Sequence, residues 1–205
     1  MNPNPGTKPK HKRLAKRISV VLLVLVLAVG GYVLYLLATD NFHAVIAGQV
    51  YRSGQMSGNA LARVIQERGI KSVVNLRGGG GQDGWYREET NTTHQFGVGH
   101  YDFSLSAGRE VSDEEIEAIM ETLRHAPKPV LIHCNGGADR TALISAIYLY
   151  TTQGETAAEA SRALSPFYGH IPHLRWRYSI AMDHSYWHYV SNHLSPAGMK
   201  LPVSP

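Results

Sequence analysis

Three hydrophobic patterns divide the chain. The first is an uncharged run from Ile18 to Ala38, ISVVLLVLVLAVGGYVLYLLA. As a helix it is roughly 30 Å long, the thickness of a bilayer core, and reads as a transmembrane segment. The second is a set of short β-branched runs: Val50–Ser53, Lys71–Leu76, a weaker one at His100–Phe103, and Pro129–His133. The third is helical periodicity between them. Ser57 or Asn59 caps a helix that runs to Arg68 and stops at Gly69. Residues 83–96 form another helix. Ser112 and Glu115 make a capping box that opens a third, ending near Arg124. Arg140–Thr152 is an apolar helix, and residues 155–164 and 179–193 add two more. Strands that alternate with helices predict an α/β fold, a central mostly parallel sheet flanked by helices. The expected organisation is a tail (1–17), the span (18–38), a linker (39–48), the α/β domain (49–194) and a C-terminal tail (195–205). No internal repeat is present.

Charge refines the reading of the N-terminus. Six of the 20 Lys and Arg lie in the first 17 residues, and no acid does. That leaves 14 bases against 16 acids elsewhere, a net of −2, so a nucleic-acid-binding face on the domain is not expected. The basic cluster precedes the span, which orients the N-terminus to the cytoplasm and the domain to the outside, the periplasm in a bacterium. A cleaved signal peptide has a shorter apolar region and a small-residue cleavage site. A buried soluble helix needs a polar face. Neither pattern fits as well as a retained anchor in contact with the lipid bilayer. A hydrophobic content of 43% excludes a wholly disordered chain. The single cysteine excludes an intramolecular disulfide framework and a multi-cysteine zinc site. It suits an oxidising space, having no partner in the chain to capture it.

That cysteine lies in the most informative segment, PVLIHCNGGADRT at 129–141. A strand ends at His133, Cys134 follows, Asn135, Gly136, Gly137, Ala138 and Asp139 form a loop, and Arg140 and Thr141 open a helix. Backbone N–H groups of such a loop cradle an anion, and glycine lets it curl tightly. Arg140 has the planar fork that clamps two phosphate oxygens. The same positive field favours the thiolate, the form of cysteine that acts as a nucleophile. The loop lacks the Gly-Lys-Ser/Thr ending of a P-loop nucleotide-binding site.

His-Cys-x5-Arg-Thr resembles the signature of the cysteine-dependent protein tyrosine and dual-specificity phosphatases. GQVYRSGQ (48–55) and SVVNLRG (72–78) further resemble a small bacterial, fungal and plant branch of that superfamily, and the match covers about residues 46–165. The resemblance implies that Cys134 attacks phosphorus and carries a phospho-cysteine intermediate. It implies that the amides of Asn135 to Arg140 and the Arg140 guanidinium bind the phosphate. Thr141 would hydrogen-bond the Cys134 sulfur, and His133 would orient the loop. The family's general acid is an aspartate on a loop upstream of the cysteine. Asp102 is the first choice, with Asp139 and Asp113 as rivals; Asp113, beside Ser112, more simply complements a helix dipole. Two departures stand out. Ala142 occupies a common glycine position, and Phe103-Ser104-Leu105-Ser106 lacks the proline often found after the acid.

Arg52 and Arg77 each close a strand; they either face the substrate pocket or, the preferred expectation, pair with carboxylates such as Glu88 or Glu89. Gly78–Gly81 either shape a substrate loop or form a flexible link. His184, His188 and His193 are read as an aromatic helix face, without the glutamate of a zinc hydrolase motif. No metal or cofactor is expected. The resemblance implies a phosphomonoesterase acting on phosphotyrosine of a protein substrate, with phosphoserine and phosphothreonine as further esters. The alternatives are a membrane-lipid or inositol phosphate phosphatase of the same mechanism, and a phosphate-binding pseudophosphatase. A rhodanese-like sulfur transferase also uses a loop cysteine, but Arg140 and Thr141 favour phosphate.

Overall fold

The computed structural model describes residues 10–172 and 178–193. The expected tails lie largely outside this range: residues 1–9 of the basic tail and all of 195–205. The chain divides into two units at Ala38/Thr39. The first is a helix, α1 (Lys10–Ala38), whose Leu14–Ala38 stretch has a mean hydropathy of 2.8 and is long and apolar enough to cross a membrane.

The second unit contains β1 (His43–Ile46), β2 (Val50–Ser53), α2 (Gly58–Arg68), β3 (Ser72–Asn75), α3 (Gly84–Gln95) and β4 (Gly99–Asp102). It continues with α4 (Asp113–His125), β5 (Val130–His133), α5 (Arg140–Thr152), the short α6 (Ala157–Ala160) and α7 (Ile180–Asn192). The five strands lie in the order β1-β2-β5-β3-β4. All neighbours are parallel except β1 and β2, so the sheet is mostly parallel with helices on its faces. β1 stands where the sequence pattern suggests only a linker over 39–48. Its four residues are half-exposed or exposed, and its register slips between Ala44 and Ile46. Such an edge strand owes its form to its partner rather than to a pattern of its own.

Alternation along the strands builds two cores. Val130 and Ile132 of β5, with Val74 of β3, face Ile116, Ile119 and Leu123 of α4, Leu143 and Ile147 of α5, and Met182 and Tyr186 of α7. Leu131 and Val73 point the other way, to Leu61, Val64 and Ile65 of α2. Each such side chain contributes about 1.5–3 kcal/mol of burial. Nine α5 residues are buried, which explains its apolar character on all sides. Ser57 accepts a bond from the Ala60 amide to cap α2, Gly69 ends α2 in the left-handed conformation, and the Ser112–Glu115 capping box starts α4. The register sets Ser53, His133, Asn75 and Asp102 in one row at the carboxyl ends of the parallel strands. Open α/β sheets bind ligands at that edge.

Candidate active site

Cys134 leaves β5 at this edge and is 2% exposed. The next five residues turn into α5, and the carbonyls of three of them are held from outside. The Gln55 amide donates to Asn135 O (2.9 Å), Asn41 Nδ2 to Gly136 O (3.0 Å) and Arg52 Nη2 to Gly137 O (2.8 Å). With its carbonyls bound outward, such a loop has its N–H groups free for an anion at the helix N-terminus. Gly137 has φ 67°, and a Cβ there would lie 2.6 Å from Gly54 N and Ser53 C. Only glycine fits that crossing.

Arg140 follows the loop. Its Nη1 donates to Leu105 O (3.0 Å) and Leu76 O (3.4 Å), while its Nε is buried without a partner. One edge of the fork is thus fixed and a donor on the other is unspent. Thr141 Oγ1 is also buried without a partner. The expected bond to the Cys134 sulfur is therefore not formed in this structure.

His133 is 2% exposed and meets Glu89 of α3 through Nε2 (3.1 Å). Glu89 also takes bonds from His100 Nε2 (2.8 Å) and Gln55 Nε2 (2.7 Å). Burial pushes the Glu89 carboxyl up, but its bonds from His100, His133 and Gln55 more than offset this and bring it down to about 2. It is therefore ionised at neutral pH, and His133 donates its Nε2 proton to it. Burial likewise lowers His100, and Glu89 and Asp102 together outweigh that and raise it.

The candidate acids lie in different places. Asp102 is two strands from β5, about 10 Å across the sheet. Asn75 Nδ2 donates to its Oδ1 (2.8 Å), Tyr86 Oη donates to its Oδ2 (2.6 Å), and His100 Nδ1 lies 3.4 Å from Oδ2. Both oxygens are acceptors here, so donating a proton requires Asp102 to release one of these bonds. The bond to Asp102 pushes the Tyr86 phenol up to about 12. Asp139 faces His170 Nδ1 (2.8 Å), whose Nε2 meets Asp183 (2.9 Å). Asp113 is bound by Asn192 of α7 (2.7 Å) and belongs to the α4–α7 packing.

The expected ion pairs of Arg52 and Arg77 with Glu88 or Glu89 are not formed. Glu89 is occupied as described, and Glu88 accepts from the Gly58 amide (3.3 Å). Arg77 stacks on Trp85, 3.9 Å from the ring centroid, and Arg52 lies 4.1 Å over Tyr168. Gly78 and Gly79 are closely packed: a Cβ would come within 2.6 Å of Ser104 Oγ at the first and 2.7 Å of the Trp85 and Tyr86 rings at the second. They therefore shape the loop after β3 rather than serve as a flexible link. His184 pairs with Glu110 (3.1 Å) and His193 stacks on Tyr189 at 3.9 Å. Sequence reasoning missed the roles of Asn41, Gln55 and His170 and gave Glu89 arginine partners instead of His100 and His133. Gln55 lay in the GQVYRSGQ segment, while Asn41 and His170 had no signal but polarity, since folding brings these residues to the site from 31 to 95 residues away.

A sulfur beneath an anion cradle, with an arginine at the mouth of the following helix, is the working layout of the cysteine-dependent phosphatases. The family model described as DSP-PTPase phosphatase fused to NAD+ kinase matches residues 38–170, and the chain belongs to that family. Solved structures share the fold. TpbA from P. aeruginosa is 21% identical, with a TM-score of 0.56 over 74% of this chain and 92% of its own. The core catalytic domain of the PP-IP phosphatase SIW14 from S. cerevisiae, in complex with citrate, is 21% identical, with a TM-score of 0.56 over 70% and 84%. A putative phosphatase from Shewanella putrefaciens CN-32 is 15% identical, with a TM-score of 0.56 over 75% and 90%. No curated protein matches the chain.

Proposed function

We propose that this phosphatase is a membrane-anchored phosphomonoesterase that hydrolyses phosphotyrosine through a phospho-cysteine intermediate. The observation that carries the reading is the 135–139 loop, with three successive carbonyls bound from outside above a buried cysteine. In the first step the Cys134 sulfur forms a bond to phosphorus and the ester P–O bond breaks. The loop amides and the free edge of Arg140 bind the non-bridging oxygens, where transition-state charge is spread. Asp102 supplies the proton to the leaving oxygen after releasing Tyr86 or Asn75. Water then attacks phosphorus and gives its proton to the Asp102 carboxylate, the S–P bond breaks, and inorganic phosphate leaves with Cys134 restored as the thiolate. Thr141 turns its unpartnered hydroxyl to the sulfur as the intermediate breaks down, and His133, held by Glu89, keeps the loop in register. No metal takes part in this scheme.

Residues 18–38 serve as the anchor, with the N-terminus in the cytoplasm and the catalytic unit outside it. Phosphotyrosine is preferred as substrate because a cysteine-to-serine variant of TpbA has been solved in complex with pTyr. A phosphorylated membrane lipid or inositol phosphate is the second reading, favoured by the apolar α1. The test is phosphate release by the full chain in detergent micelles, with EDTA present, from a phosphotyrosine peptide, a phosphatidylinositol phosphate and an inositol phosphate. Turnover of the peptide that disappears in Cys134→Ser is the expected result. Turnover of the lipid alone would replace the substrate, and turnover that survives Cys134→Ser would overturn the mechanism.

A further inference from the structure

Arg52 is a buried charge without a carboxylate. It is 1% exposed and contacts Gly137 O, Ala163 O (3.1 Å) and the face of Tyr168. Its Nε is buried with no partner. Glu155 and Glu159 line the same cavity of about 520 Å³ beside it, yet neither pairs with it among the described residues, and Glu159 is committed to the Thr156 cap. A guanidinium taken out of water without an anion costs several kcal/mol. Burial pushes it down to about 10, so it stays charged at neutral pH. Arg52 pairs in register with Ile132 of β5, two residues before Cys134, so it stands on the strand beside the cysteine and binds the loop that follows it.

We infer that Arg52 is a second positioning cation of the catalytic centre, acting from behind the loop, and that its counter-ion is the anion at Cys134. That anion is the thiolate in the free enzyme and the phosphoryl group during turnover. The inference rests on Cys134 being the nucleophile. One contact does two things. The bond to Gly137 O fixes the loop, and the charge behind that bond offers the anion at Cys134 a counter-ion. Arg140 serves the substrate side, so the anion lies between two guanidinium groups of different burial. The other charged groups around the loop are already paired: His133 with Glu89, Asp139 with His170, and Asp102 with Tyr86 and His100.

The test is the rate at which iodoacetamide alkylates Cys134, the only cysteine, in the full chain in detergent micelles. The reagent is neutral, so Arg52 acts on the thiol alone. At pH 6, Arg52→Met should be labelled about tenfold more slowly than wild type, the rate equivalent of about 1.4 kcal/mol of lost charge stabilisation. Near pH 9.5, where ionisation no longer limits, the two rates should converge. Arg52→Lys keeps the charge and should recover most of the pH 6 rate. A purely structural role predicts equal slowing at every pH and no recovery by lysine, and either result overturns the inference. If Arg52→Met loses its thermal unfolding transition, Tyr168→Leu replaces it. That change opens the guanidinium to water, and labelling should slow two- to threefold at pH 6 only. No change at pH 6 in that variant would equally overturn the inference. Labelling reads the thiol directly, so the two failures are distinguishable: surviving activity in Cys134→Ser would refute the function and the catalytic role of Arg52 with it, whereas unchanged labelling at pH 6 would refute the Arg52 inference alone.

Discussion

Replacing Gly137 with alanine tests how tightly the loop is built. Two costs add. The residue has φ 67°, where a Cβ costs about 1–2 kcal/mol. The new methyl would also lie 2.6 Å from Gly54 N, 2.6 Å from Ser53 C and 2.7 Å from Ser53 O. These are backbone atoms at the end of β2, so no side chain can swing aside, and overpacking adds about 1–3 kcal/mol. The sum is roughly 2–5 kcal/mol, a fall in Tm of roughly 4–20 °C for a domain of this size. Relief requires the loop to lift off β2, which breaks the Arg52 bond to Gly137 O. A displacement near 1 Å should lower kcat/KM on the order of a hundredfold. Gly136→Ala is the control, because its Cβ meets nothing within 4 Å and its backbone is unstrained. Its Tm should stay within about 3 °C of wild type. Thermal unfolding and steady-state phosphate release on both variants check the argument. Equal Tm values for the two alanines would refute it.

Two further outcomes are expected. Glu89→Ala removes the shared acceptor of Gln55, His100 and His133 and should cost about 2–4 kcal/mol in urea unfolding, read as a lower midpoint at unchanged slope; a loss under about 1 kcal/mol would contradict the network as described. The pH dependence of stability should show two limbs of opposite sign. Glu89, lowered to about 2, stabilises fully above its ordinary value and loses that contribution as pH falls towards 2. His170 is lowered by burial but raised overall by Asp139 and Asp183. Its contribution is complete below its ordinary value near 6.5 and fades as pH climbs through the raised value. The Tm gap between wild type and His170→Gln should therefore narrow above pH 6.5, and a gap that widens there would reverse the assignment.

The strands and helices that repeat a strong local pattern were legible in the sequence. β5, the cysteine loop and α5 were the clearest, since all their information lies in one stretch: an apolar run, two glycines and a helix start. α2 and α4 announced themselves by their caps. β1 was not legible, because four partly exposed residues with a slipped register are a strand only beside β2. The arginines were misjudged for a related reason. Charge complementarity suggests a carboxylate partner, but burial and topology deliver carbonyls and aromatic faces instead. Glu89 sits on a helix whose sequence, GWYREETNTTHQ, looks solvent-exposed throughout. Its burial follows from α3 packing against α2 and β4, with His133 reaching it from the end of β5, none of which a local window contains.

The bond from Asn41 to Gly136 O, with that from the Gly54 amide to Asp40 O (2.7 Å), limits where the polypeptide tolerates a cut. A new N-terminus at Thr39 keeps both contacts. One at Phe42 removes both, although it spares every strand and every residue of the signature. The two fragments would have nearly identical folds, but the shorter holds the cysteine loop from outside only through Gln55 and Arg52. Proteolysis in this short stretch would therefore loosen the cysteine loop, and the effective edge of the catalytic unit lies ahead of its first strand.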